Sequence, residues 1–161
     1  FNRLYRKVFP EPKGLVVPSA RVPGTDGRKM SKSYNNSVAL RDSPEAVHDK
    51  LARMITDVRR VRRDDAGNPD DCPAFRLHEI YCSEQERAEL SQGCRSASIG
   101  CLDCKKVMIK RVEEELGPIR ERRQELAGSK DRAAELLAEG GRRARERAEE
   151  TMAEVREAVE L

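Results

Sequence analysis

The chain has no tryptophan, aromatic residues make up only 4% of it, and no apolar run approaches the length of a membrane span. It holds two histidines, and a formal net charge of +3 is too small to announce a nucleic-acid partner by itself. No basic stretch followed by an apolar run marks a secretory leader. Charged residues (38%) slightly outnumber hydrophobic ones (37%), which is polar for a compact globule of 161 residues. Such a balance suits helices with long solvated faces, or a piece whose core is completed by further sequence. Any RNA-binding surface must therefore come from local clusters of Arg and Lys. The five cysteines are an odd number, and nothing points to secretion. A cytoplasmic setting is the expectation, where clustered cysteines more often mean metal than disulfide.

Residues 1–27 are punctuated by Pro10, Pro12, Gly14, Pro18, Pro23, Gly24 and Gly27, with Leu15-Val16-Val17 readable as a short buried strand. A polar segment follows from Lys29 to Asn36. Helical periodicity then begins sharply. Ser43 is placed to cap, Pro44 to open the helix, and Val47, Leu51, Met54 and Ile55 to share one face that ends near Asp57. Residues 64–73 read as a loop, and shorter helices are expected around Phe75–Tyr81 and Glu84–Gln92. From Cys101 onward apolar residues recur at Met108, Val112, Leu116 and Ile119, with Pro118 expected to kink or restart the helix. Leu137, Gly141, Ala144, Ala148, Met152, Val155 and Val159 then step by three or four residues along a last helix. The natural boundary lies near residues 41–43.

Lys29-Met30-Ser31-Lys32-Ser33 is the most informative stretch. It gathers two ammonium groups, two hydroxyls and a run of backbone N–H groups behind a glycine-containing turn, Gly24-Thr25-Asp26-Gly27. That is the equipment for stabilising a polyphosphate while charge builds on its leaving group. In this order the pentapeptide resembles, without a substitution, the signature of class I aminoacyl-tRNA synthetases. Pro23-Gly24-x-Asp26-Gly27-Arg28 before it and Tyr34-Asn35-Asn36 after it resemble the tryptophanyl group. So do Ile55-Thr56-Asp57 with Asp65-x-Gly67-x-Pro69, the run Gly117-Pro118-Ile119-Arg120-Glu121-Arg122, and Leu137-x-Glu139-Gly140 with Val155-Arg156-x-Ala158-Val159.

The resemblance implies a mainly α chain. Residues 1–42 would end a Rossmann-type α/β catalytic domain that carries the signature loop, and residues 43–161 would form an α-helical anticodon-binding domain. It implies ATP with Mg2+, tryptophan and tRNA(Trp) as partners, and a homodimer formed through an N-terminal half. Lys29 and Lys32 would be catalytic, Lys32 foremost, with Ser31, Ser33 and the Met30 N–H assisting at the phosphates. The family's His-Ile-Gly-His-type signature has no counterpart, since the only histidines are His48 and His78, to which no catalysis is assigned. By themselves these residues are expected to form no adenylate. Two other readings stay open: a non-catalytic, metal-stapled helical RNA-binding module, and a tyrosyl-tRNA synthetase relative.

Cys72, Cys94, Cys101 and Cys104 follow the pattern C-x21-C-x6-C-x2-C, while Cys82 fits none of its gaps. The close pair can bring two sulfurs to one point, and Cys72 would tie in a distant segment. The spacing resembles that of synthetases carrying a four-iron four-sulfur cluster, although their first gap is one residue longer. A cluster, a tetrahedral zinc ion and unmetallated thiols all remain possible on these residues. Two basic runs, Arg59, Arg60, Arg62 and Arg63, then Lys105, Lys106, Lys110 and Arg111, are candidate tRNA contacts, against the ordinary alternative of solvated faces.

Overall fold

A computed structural model describes residues 1–17 and 19–160, so Pro18 lies outside the described residues. Among the described residues five α-helices follow one another: α1 (Pro44–Ala52), α2 (Pro73–Tyr81), α3 (Glu84–Arg95), α4 (Cys101–Ala127) and α5 (Lys130–Ala158). The chain divides into two compact units, one of Val17–Glu121 and one of Phe1–Val16 with Arg122–Leu161.

Local chemistry sets the helix ends. Ser43 Oγ accepts from Ala46 N at 3.2 Å and Pro44 opens α1, as expected of a cap followed by proline. The helix stops at Ala52, short of Asp57, because the chain turns away to pair elsewhere: Ile55 N donates to Thr25 O at 2.9 Å. Met54 stays buried while Ile55 is exposed, so Ile55 drops off the expected face. Ser83 and Glu86 form a reciprocal capping box at the start of α3. Pro118 neither ends nor restarts α4, which runs through it. The residue before a proline is normally kept out of the helical region by its own Cβ, and here that residue is Gly117, which has none.

In the larger unit, Val47, Leu51 and Met54 from α1 or just beyond it meet Ala74 and Leu77 of α2 and Met108, Ile109, Val112 and Leu116 of α4. This aliphatic cluster is the core. The other unit holds the N-terminal segment and α5. There Asn2 Oδ1 accepts from Val8 N and Phe9 N, and Arg6 pairs with Glu157 at 2.6 Å. Most of the apolar stripe read along α5 is exposed, Leu137 by 78%, while Val155 and Val159 are half-buried.

The expected strand at Leu15-Val16-Val17 does not form. Among the described residues no β-strand is present, only an isolated bridge between Pro23 and Lys29. A strand needs a neighbour's N–H and C=O groups, and these residues have none beside them, leaving Leu15 94% exposed.

Met108 is fully buried, so Met108→Ala is expected to lower unfolding free energy by about 2–5 kcal/mol, whereas Leu137→Ala should cost under about 0.5 kcal/mol. Urea unfolding followed by circular dichroism measures both.

Candidate phosphate loop and thiol cavity

The signature segment is folded back on itself between Val22 and Asn36. Met30 N donates to Val22 O at 2.8 Å, Gly24 N to Arg28 O at 2.7 Å and Thr25 N to Asn36 O at 2.9 Å. Lys32–Tyr34 form a single 3₁₀ turn, after which Asn35 takes a left-handed backbone (φ 52°). Asn36 is the buried centre of this segment, at 2% exposure. Its Oδ1 accepts from Ser31 N at 2.8 Å, and its Nδ2 donates to Asp26 Oδ1 at 2.7 Å and Lys29 O at 3.3 Å. Gly24 is required for this approach, since a Cβ there would lie 2.3 Å from the Asn36 amide.

Asp26 is held below the usual carboxylate range, first by the Asn36 amide and then by Arg28. Arg28 in turn lies over the Tyr34 ring, 4.4 Å from its centroid. Ser31 Oγ and Ser33 Oγ are 2.8 Å apart. Lys29 and Lys32 are both exposed and have no carboxylate partner among the described residues. Lys29 also borders an open cleft lined by Arg21 and Arg76 and by the carboxylates Asp70, Asp71 and Glu79. The loop thus presents two uncommitted ammonium groups and two hydroxyls on a backbone pinned from beneath.

The four cysteines of the spaced pattern, far apart in sequence, line one small cavity together with Thr56, Arg60, Ala74, Phe75 and Lys105. Cys72 precedes α2, Cys94 lies in the last turn of α3, and Cys101 and Cys104 sit in the first turn of α4. The 57–72 loop is pressed onto Cys94: Gly67 N donates to Cys94 O at 3.0 Å, and a Cβ on Gly67 would lie 2.6 Å from Cys94 Sγ. Asp57 anchors that loop, its carboxylate accepting from Asn68 N at 2.8 Å and Arg59 N at 3.0 Å. Burial and the neighbouring sulfurs push the Cys104 thiol up to about 12, and burial raises Cys94 as well. Four thiols held this close together cannot all ionise without a compensating cation. Among the described residues no three His, Cys, Asp or Glu side chains are placed to share one ion.

Two residues of the basic runs do not face outward as expected. Arg60 is 9% exposed, sends Nη2 to Arg63 O and Ile99 O at 2.7 Å each, and points Nη1 at Cys94 Sγ from 4.0 Å, with Nε left without a partner. Lys105 is 7% exposed and its ammonium caps α1 by donating to Ala52 O at 2.8 Å. Both cations are drawn to the thiol cavity and unsatisfied carbonyls rather than to solvent.

Residues 1–117 match the family of class I tRNA synthetases (W and Y). The chain belongs to that family. Across its whole length this synthetase chain is 46% identical to a tryptophan–tRNA ligase of Aquifex aeolicus, covering 41% of that protein, and 44% identical to one of Thermotoga maritima, covering 49%. A crystal structure of tryptophanyl-tRNA synthetase from Campylobacter jejuni, complexed with ADP and tryptophan, aligns with 99% of the chain and 50% of its own length. That alignment has a TM-score of 0.78 at 27% identity. The chain therefore spans less than half the length of these two curated relatives.

In this synthetase chain Arg59, Arg62, Arg63, Lys106 and Lys110 remain at the surface. Arg59 is engaged by Asp57 and Asp71, and Lys106 by Asp103 at 2.9 Å. Sequence reading missed Asn36 as the support of the loop. The available signal was a glycine, Gly24, standing opposite a run of two asparagines. It also missed His78, fully buried, whose four-residue offset from Cys82 puts both on one helix face.

Asn36→Ala would leave the Ser31 N–H and the Lys29 carbonyl without their partner. It is expected to cost about 1–3 kcal/mol and to speed trypsin cleavage after Lys29 and Lys32. Limited proteolysis with mapping of the cut sites measures it.

Proposed function

We propose that the chain is the C-terminal part of a tryptophan–tRNA ligase, its residues 1–42 ending the catalytic domain and residues 43–161 forming the helical domain that meets the anticodon. The single observation that carries this reading is a loop pinned by Asn36 whose ammonium groups, Lys29 and Lys32, meet no carboxylate among the described residues. The names of the relatives that match end to end support the choice of tryptophan.

In the first step the tryptophan carboxylate attacks the α-phosphorus of ATP, the α–β bridging bond breaks and pyrophosphate leaves with its electron pair. Lys32 offsets the charge that develops on the departing β- and γ-phosphates, and Lys29 assists from the other end of the loop. Ser31, Ser33 and the Met30 N–H donate to phosphate oxygens. The magnesium ion arrives with ATP. In the second step a ribose hydroxyl at the tRNA terminus attacks the adenylate carbonyl and AMP leaves. Positioning, not a covalent nucleophile, is what the chain contributes to both.

Cys72, Cys94, Cys101 and Cys104 are the residues that would hold a four-iron four-sulfur cluster, which would supply a structural and one-electron centre when bound. The donor set supports this, being four thiols around one cavity with no carboxylate among its lining residues. A single zinc ion would need all its sulfurs about 2.3 Å from one point, and among the described residues no three donors are so placed. Arg60 and Lys105 supply positive charge toward an anionic centre. Arg59, Arg62, Arg63, Lys106 and Lys110 are the tRNA contacts, with Arg60 and Lys105 removed from that set by their burial. The enzyme is cytoplasmic and dimerises through its N-terminal half.

Lys32→Ala in the full-length protein is expected to lower tryptophan-dependent ATP–pyrophosphate exchange by roughly 100- to 1000-fold with an unchanged circular dichroism spectrum. A change under about threefold would overturn the ligase reading of this loop.

A further inference from the structure

Cys82 is the fifth cysteine, outside the spaced pattern, and is buried at the end of α2. His78 lies one turn earlier on the same helix, fully buried, its ring centroid 5.4 Å from that of Phe75. The two ring nitrogens of His78 face two different sulfurs at the same distance. Nδ1 is 3.3 Å from Cys82 Sγ, and Nε2 is 3.3 Å from Cys104 Sγ. Neither nitrogen has another hydrogen-bond partner among the described residues.

A neutral imidazole carries one N–H and one lone pair. A sulfur bonded to iron has no proton, so toward His78 it only accepts. One arrangement then satisfies all three groups: Nε2–H donates to Cys104 Sγ, and Nδ1 accepts the S–H of Cys82. We infer that Cys82 and His78 form a hydrogen-bond relay to the Cys104 sulfur, which makes Cys82 a positioning residue of the thiol site although it binds no metal. The relay rests on the cluster reading given above. It fixes the imidazole tautomer from behind, as outer partners of metal ligands do. Hydrogen bonds to ligating sulfur stabilise added electron density, so the relay raises the reduction potential of the cluster and slows its loss.

The test uses the full-length protein purified without oxygen, with iron and acid-labile sulfide assayed first. Reduction potential is then measured by mediated titration followed by electron paramagnetic resonance, together with the rate of iron loss to a chelator. His78→Phe and Cys82→Ala are expected to lower the potential and speed iron loss several-fold. Cys82→Ser, whose hydroxyl also donates to Nδ1, is expected to stay close to the unchanged protein. Should His78→Phe fail to fold, the alanine and serine variants at position 82 still decide, because one donor group separates them. Equal shifts in those two variants, or no shift in Cys82→Ala, would overturn the relay while leaving the cluster intact. Absence of iron and sulfide from the unchanged protein would sink the cluster reading itself, and the relay with it.

Discussion

The Asn36 side chain is the constraint on which the geometry of the signature loop depends. Its amide oxygen takes the Ser31 N–H, and its amide nitrogen spans Asp26 and the Lys29 carbonyl, so three points of one loop are tied to a single buried group. Leaving such partners unpaired in a buried place costs on the order of 1–3 kcal/mol, more than an exposed lysine loop can recover from its own contacts. Gly24 opens the space for the amide, and Ile55 N closes the back of the turn onto Thr25 O. That bond lies just past the end of α1, and with Val22 and Val38 packed against the core it joins the signature loop to the helices. Lys29 and Lys32 need no internal partner in this arrangement, and their charge stays available to a ligand.

The thiol cavity solves a different problem. Three helices present their ends to it, and helix ends carry unpaired backbone groups that must be answered. Arg60 and Lys105 answer carbonyls of the surrounding segments, at Arg63, Ile99 and Ala52, and Gly67 lets the 57–72 loop lie directly on Cys94. The cavity is lined by four thiols with Arg60 and Lys105 beside them, and burial there favours neutral thiols unless a cation offsets their charge.

Much of this was legible in the residues. Ser43-Pro44 announced α1, a helix was expected around Glu84–Gln92 where α3 lies, and the cysteine spacing named the four sulfurs that share the cavity. Where the reading departed from the structure, long-range contacts decided. Pro118 is harmless because of Gly117 beside it, and Leu15-Val16-Val17 has strand composition but no neighbouring strand among the described residues. The direction of Arg60 and Lys105 could not be read from charge runs, which carry no information on which cation turns inward. Asn36 and His78 look ordinary in one dimension, and their importance lies wholly in what stands across from them.

A crystal structure of the full-length protein with ATP bound is the most direct measurement. The triphosphate is expected within hydrogen-bond distance of the Lys32 ammonium and the Ser31 hydroxyl, with the Asn36 amide still seated against Gly24. ATP bound elsewhere, with Lys29 to Ser33 free in solvent, would contradict the role assigned to this loop.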